Sequence, residues 1–105
     1  MKIYISSDME GTTGIVNWQE TELGNKLYDH FSEQMSKEVA AACRGALSGG
    51  ANEVLVKDAH SSARNINPDF LPRGTRILRG WTRNPFSMMA GLDESFTGAV
   101  FTGYH

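Results

Sequence analysis

The sequence predicts an α/β fold with a largely parallel sheet and flanking helices. Three observations lead to this fold class: short apolar runs alternate with a long helical pattern, one of these runs is apolar almost throughout, and polar residues follow directly after several of them. Alternating strands and helices are typical of parallel sheets, whose doubly covered strands have nearly continuous apolar sequences. Ligands of such sheets bind beyond the carboxyl ends of the strands, so a functional site is expected there.

The first predicted strand covers residues 3–5 and is followed at once by a polar loop. This loop carries Asp8 and Glu10, and its glycines, Gly11 and Gly14, permit a tight turn. It is neither a Walker phosphate-binding loop nor a dinucleotide-binding loop, because no Gly-Lys-Ser/Thr follows and the glycine spacing differs.

A helix is predicted over residues 27–47, because apolar residues recur there at spacings of three and four and therefore share one face. These residues are Leu27, Phe31, Met35, Val39, Ala42 and Ala46. Gly49 and Gly50 end the helix, since glycine readily adopts the left-handed conformation at a C-terminus. Within the helix, His30 is expected at the surface, and Cys43 is expected to be a small buried residue rather than a reactive thiol.

The second predicted strand is the near-continuous apolar run at residues 53–57. A loop follows over residues 61–74, where Pro68 and Pro72 exclude a regular helix. A third, weaker strand is predicted at residues 76–78.

A short second helix is predicted to begin at Asn84 and Pro85, with asparagine as the cap and proline in the first turn. Its apolar side would be formed by Phe86, Met88, Met89 and Leu92. The last predicted strand covers residues 99–103. No internal repeat or linker is present, so the 105 residues are expected to form at most one domain.

Composition excludes several classes of protein. The net charge is -2 and no block of like charges is present, which argues against a nucleic-acid-binding protein. No apolar run approaches the roughly 18 residues that a membrane span needs. A single cysteine cannot form an internal disulfide, so a cytoplasmic location is expected.

Polar side chains follow three of the predicted strands: Asp8 and Glu10 the first, Asp58 and His60 the second, and His105 the last. Residues two apart in an extended chain point the same way, so these side chains are expected to converge in one crevice. Carboxylates and imidazoles together suit zinc, with manganese, cobalt and iron as further candidates. Asp58 is interpreted as a carboxylate that orients a ligating histidine, and Asn65 as a residue behind His60 that touches the substrate.

Four segments together resemble the zinc D-aminopeptidase family of the DppA type. They are SDMEG at 7–11, KDAH at 57–60 with Arg64 and Asn65 behind it, MMAGLD at 88–93, and GYH at 103–105. They occur in the family's order and with similar gaps over essentially the whole chain, so the combination is much more specific than any single motif.

This resemblance implies that Asp8 bridges two zinc ions, that Glu10 and His60 complete the first site, and that His105 binds the second. It also implies a large homo-oligomer that hydrolyses short peptides with an N-terminal D-amino acid through a metal-activated water. Family members exceed this chain by more than its own length. Their last acidic zinc ligand and a catalytic histidine lie downstream, so residues 1–105 are expected to be the N-terminal part of a single metallopeptidase domain.

Two alternatives remain open at this stage. Residues 3–12 also resemble the opening of haloacid-dehalogenase phosphatases, in which Asp8 would be the nucleophile and magnesium the cofactor. Glu10 replaces the usual second aspartate of that motif, and magnesium's preference for oxygen ligands leaves His60 and His105 unexplained. The other alternative is a non-catalytic α/β fragment whose polar strand ends are structural.

Overall fold

The predicted strands form one four-stranded parallel sheet in the computed structural model, which describes residues 1–105. The strands are β1 (Lys2–Ser7), β2 (Glu53–Asp58), β3 (Thr75–Leu78) and β4 (Gly98–Thr102). Their spatial order is β3-β2-β1-β4, and every neighbouring pair is parallel. This confirms the predicted fold class.

One face of the sheet is covered by a single long helix, α1 (Tyr28–Ser48). The predicted apolar stripe of this helix packs on β1 and β2, and the shared core includes Ile5, Phe31, Met35, Val39, Cys43, Val54 and Val56. Burying each of the larger side chains stabilises the fold by about 1.5–3 kcal/mol. Cys43 is wholly buried, as expected, and this burial raises the pKa of its thiol. His30 is exposed, also as expected, whereas Leu27 precedes the helix and is half-exposed.

The opposite face is covered by an irregular segment, not by the short helix predicted to begin at Asn84. Only Ser87–Met89 forms a single 3₁₀ turn there. The backbone at Ser87 and Gly91 has positive φ, so a right-handed helix cannot run through this segment. Tyr4 anchors the segment to the sheet, because its hydroxyl donates a hydrogen bond to the Ala90 carbonyl at 2.7 Å. Burial, together with the neighbouring Tyr104, raises the pKa of Tyr4 to about 12.

The long connections contain two further 3₁₀ turns, Trp18–Thr21 and Pro68–Phe70. The second begins at a proline, and no α-helix forms across residues 61–74, as predicted. No helix in the structure combines the length and the apolar character that crossing a bilayer demands.

Candidate metal centre

Strand register brings the three polar strand ends together. Ser7 at the end of β1 lies opposite Asp58 of β2 and Thr102 of β4. The pattern of hydrogen bonds continues one residue further, because the Asp8 amide donates to the Thr102 carbonyl at 2.9 Å and the Ala59 amide donates to the Ser7 carbonyl at 2.8 Å. The residues that follow the three strands therefore emerge side by side.

Two glycines let the first and last of these segments approach closely. The Gly11 amide donates to the Gly103 carbonyl at 2.7 Å. A Cβ at Gly103 would collide with the carbonyl oxygen of Asp8, and a Cβ at Gly11 would collide with that of Tyr104. Because these two segments pack closely, the side chain of His105 lies next to that of Glu10.

The four predicted ligands meet at this edge of the sheet. His60 lies near one oxygen of each carboxylate, and His105 lies near the other oxygen of each. His60 Nδ1 lies 3.2 Å from Asp8 Oδ1 and 2.5 Å from Glu10 Oε1. His105 Nε2 lies 3.8 Å from Asp8 Oδ2 and 2.8 Å from Glu10 Oε2. Ligand atoms of Asp8, Glu10 and His105 all lie within 4.8 Å of one another, as they must to share one metal ion. Each carboxylate thus presents one oxygen to each histidine.

The residues fit a metal ion. Glu10 Oε1 is buried and has no hydrogen-bond partner, since its close contact with His60 Nδ1 lacks hydrogen-bond geometry. A buried carboxylate oxygen without a partner is costly, and a cation between the two groups would supply the missing interaction. Two carboxylates and two imidazoles form a donor set that suits zinc.

A main-chain oxygen fixes the orientation of the His60 ring. Nε2 of His60 lies 2.9 Å from the Thr21 carbonyl oxygen, which can only accept a hydrogen bond. Nε2 therefore carries the proton, and in the neutral ring Nδ1 presents its lone pair to the carboxylates. Metal-binding histidines are commonly held in this way by a partner on the other ring nitrogen.

The charges of the cluster shift the pKa values of Asp8 and His60 in opposite directions. Burial opposes ionisation of Asp8, but the hydrogen bonds from His60 and the Met9 amide and the nearby imidazoles outweigh it, so the pKa of Asp8 is lowered. Burial likewise disfavours the charged His60 ring, yet hydrogen bonds to Asp8 and Thr21 and the Glu10 charge raise the pKa of His60 overall. Without metal, the raised pKa extends the pH range over which the His60 ring is charged beside the carboxylates.

Asp58 supports the loop after β2 rather than the imidazole, which differs from the sequence-based interpretation. Its wholly buried carboxylate accepts hydrogen bonds from the main-chain amides of Asn65 at 2.6 Å and Ile66 at 2.7 Å, and from the Asn65 side chain at 2.9 Å. Asn65 then donates to the His60 carbonyl at 2.6 Å and accepts a hydrogen bond from Tyr28. The side-chain amide of Asn65 thus donates its hydrogen bonds within the protein. Asn65 therefore supports His60 by holding the main-chain carbonyl of that residue.

Lys57 is a further supporting residue that sequence reasoning did not single out. Its ammonium is buried, donates to the carbonyls of Asp58 at 2.8 Å and Gly80 at 2.9 Å, and lies 4.5 Å from the centre of the Trp81 ring. Burial lowers the pKa of Lys57, partly offset by the Asp58 charge. Trp81 in turn donates to the Ser61 carbonyl at 2.6 Å. Lys57 thereby ties residues 80–81 to the loop that follows His60.

Comparison with known proteins shows which proteins share this sequence and fold. The chain is 37% identical over all of its 105 residues to a D-aminopeptidase of Bacillus subtilis (strain 168), of which it covers 38%. It superimposes with a TM-score of 0.94 on a solved structure of the Zn-dependent D-aminopeptidase DppA from Bacillus subtilis, described as a self-compartmentalizing protease, again covering 38% of that chain at 37% identity. The phosphatase alternative is not favoured by these matches.

The chain thus spans well under half the length of the relatives that it matches. A family profile described as D-aminopeptidase, peptidase family M55, matches residues 1–105, which is the entire sequence. The chain therefore belongs to the D-aminopeptidase family.

Proposed function

We propose that this protein is a zinc-dependent aminopeptidase that hydrolyses short peptides carrying an N-terminal D-amino acid. In this proposal Asp8, Glu10 and His60 would hold one zinc ion, and Asp8 and His105 would hold the second. The observation that carries it is the arrangement of the two carboxylates, each with one oxygen toward His60 and the other toward His105. In this orientation Asp8 would present one oxygen to a cation on the His60 side and the other to a cation on the His105 side.

The chain's own residues provide the conditions for such a centre. Asp8 and Glu10 supply negative charge at a largely buried position, and the Thr21 carbonyl keeps His60 Nδ1 available as a ligand. Bound zinc would lower the pKa of a water molecule and polarise the peptide carbonyl. The Zn-dependent, self-compartmentalizing relative supports the choice of metal and a homo-oligomeric assembly.

The remaining parts of the proposal concern the whole protein. Residues 1–105 are proposed to be the N-terminal part of one metallopeptidase domain, in line with the 38% of the relatives that they cover. The last acidic ligand and the catalytic histidine would then follow His105 in sequence. A cytoplasmic location remains part of this proposal, since the single cysteine is free and buried.

Asp8→Asn tests the centre, because it keeps the size of the side chain and removes its charge. We expect zinc affinity to fall by more than the roughly 10–100-fold that loss of a supporting residue costs, and hydrolysis of D-alanyl-glycyl-glycine to be lost. Zinc is measured by equilibrium dialysis and metal analysis. The matched control is Asp29→Asn, an exposed carboxylate on α1, which should bind zinc normally. Unchanged zinc binding by Asp8→Asn, or equal cleavage of the L-peptide by the unaltered protein, contradicts the proposal.

Zinc affinity is expected to rise with pH across the titration of His60. The pKa of His60 is raised in the metal-free protein, so zinc must displace a proton below that pKa and binds more weakly as the pH falls through it. Asp8 has a lowered pKa and remains ionised in this range. Competition titrations between about pH 5.5 and pH 8 measure the effect. His60→Gln should flatten the dependence, whereas His30→Gln, at an exposed position, should leave it intact; the reverse result contradicts the assignment.

A further inference from the structure

A small cavity opens directly beside the candidate metal centre. It has a volume of about 210 Å³ and is lined by Glu10, Ile15, Val16, Asn17, Trp18 and His105. Pockets for complete small-molecule ligands usually measure about 300–1,000 Å³, so this cavity is suited to one part of a ligand. Because Glu10 and His105 line both the cavity and the centre, any group in the cavity is adjacent to the proposed metal ions.

The outer wall of the cavity is apolar and exposed to an unusual degree. Val16 is 91% exposed and Trp18 is 64% exposed. Exposed apolar surface with a polar rim commonly marks a binding site. Burying these side chains against a ligand would recover hydrophobic free energy that they do not gain from contacts within residues 1–105.

The wall is nevertheless held in a defined position. The buried Glu20 side chain accepts a hydrogen bond from the Val16 amide at 3.0 Å, and the Asn17 side chain accepts one from the Gln19 amide at 2.9 Å. The Trp18 ring packs edge-to-face on the His105 ring, with 5.1 Å between their centres. The apolar surface is thus fixed relative to a proposed metal ligand, as a preformed binding site requires.

We propose that this cavity binds the side chain of the substrate's N-terminal residue and selects apolar side chains over glycine. The proposal rests on the proposed function, which places the carbonyl of that residue at the metal centre. The side chain branches one bond from this carbonyl carbon, so it reaches the cavity that shares Glu10 and His105 with the centre. Val16 and Trp18 would then be specificity-determining residues.

The first test observes binding without turnover. The fluorescence of the zinc-loaded protein reports on the cavity through Trp18, and the Trp18→Phe variant gives the separate contribution of Trp81, which is kept because it supports the loop after His60. We expect saturable changes in emission with D-leucinamide and none with glycinamide, which lacks the side chain. Val16→Ala should weaken D-leucinamide binding several-fold. No difference between the two amides, or full binding by Val16→Ala, overturns the proposal whether or not the protein is a peptidase.

The second test measures specificity as the ratio of kcat/KM for D-leucyl-glycine to that for glycyl-glycine. Val16→Ala and Trp18→Ala should reduce this ratio by about 10-fold or more, with zinc content retained. Leu23→Ala is the matched control, since Leu23 follows Trp18 closely in sequence and is 77% exposed but does not line the cavity. An unchanged ratio accompanied by a smaller particle mass would identify the apolar wall as a contact between copies and overturn the proposal. Absence of cleavage of any D-peptide by the unaltered protein would instead contradict the proposed function, leaving the fluorescence result to decide the subsite.

Discussion

Asp58→Ala is expected to lower the free energy of unfolding of the metal-free protein by about 3–5 kcal/mol. The Asp58 carboxylate is wholly buried and accepts three hydrogen bonds, two from Asn65 and one from Ile66. Removing it leaves three buried N–H groups without an acceptor and opens a cavity. Urea-induced unfolding measures the loss.

Asp69→Ala is the matched control for this substitution. Asp69 is an exposed carboxylate in the same connection between β2 and β3, and its replacement should change stability by no more than about 0.5 kcal/mol. A loss below about 1 kcal/mol for Asp58→Ala would show that other contacts hold the loop.

The same substitution should also weaken zinc binding, because Asp58 stabilises strained backbone beside the proposed ligand His60. Ser61 and Ala63, which follow His60, have positive φ values of 49° and 58°. Non-glycine residues in this conformation cost about 1–3 kcal/mol each and persist only where surrounding contacts enforce them. Asp58, through Asn65, and Lys57, through Gly80 and Trp81, provide those contacts. Without Asp58, the loop is expected to relax and to move His60 from the carboxylates.

Much of the fold could be predicted from periodicity, because burial determines both the pattern and the structure. The stripe that includes Phe31, Met35 and Val39 packs on the sheet as expected. Prediction was wrong at Asn84, where a cap residue and a proline indicated a helix. The Asn84 side chain does accept a hydrogen bond from the Phe86 amide. However, the positive φ at Ser87 limits the result to one 3₁₀ turn, and local capping signals carry no information about that constraint.

The proximity of the candidate ligands was predictable from topology, but their supporting contacts were not. Parallel strands of known order place Asp8, His60 and His105 at one edge, whatever the details of packing. Thr21 acts through its carbonyl oxygen, a group that every residue possesses, so the sequence contains no signal for it. Lys57 could have been identified from the sequence. A lysine in a near-continuous apolar strand must be buried, and its ammonium therefore needs hydrogen-bond acceptors. The structure supplies them as two main-chain carbonyls.

Gly103→Ala is expected to be strongly destabilising, by on the order of 3–5 kcal/mol, and to separate His105 from the carboxylates. Gly103 has φ +66, which costs alanine about 1–2 kcal/mol, and its new Cβ would also collide with the Asp8 carbonyl oxygen. Gly24→Ala is the matched control, since Gly24 also has a positive φ, of +98°, and open space around the position of a Cβ. Urea unfolding and zinc titration of both variants separate the two contributions, because only the collision differs between them. If both variants lose the same stability and bind zinc equally, the close approach of the Gly103 segment to Asp8 is not what positions His105. A larger loss of both stability and zinc affinity in Gly103→Ala would instead mean that the ligand geometry depends on the absence of a single methyl group.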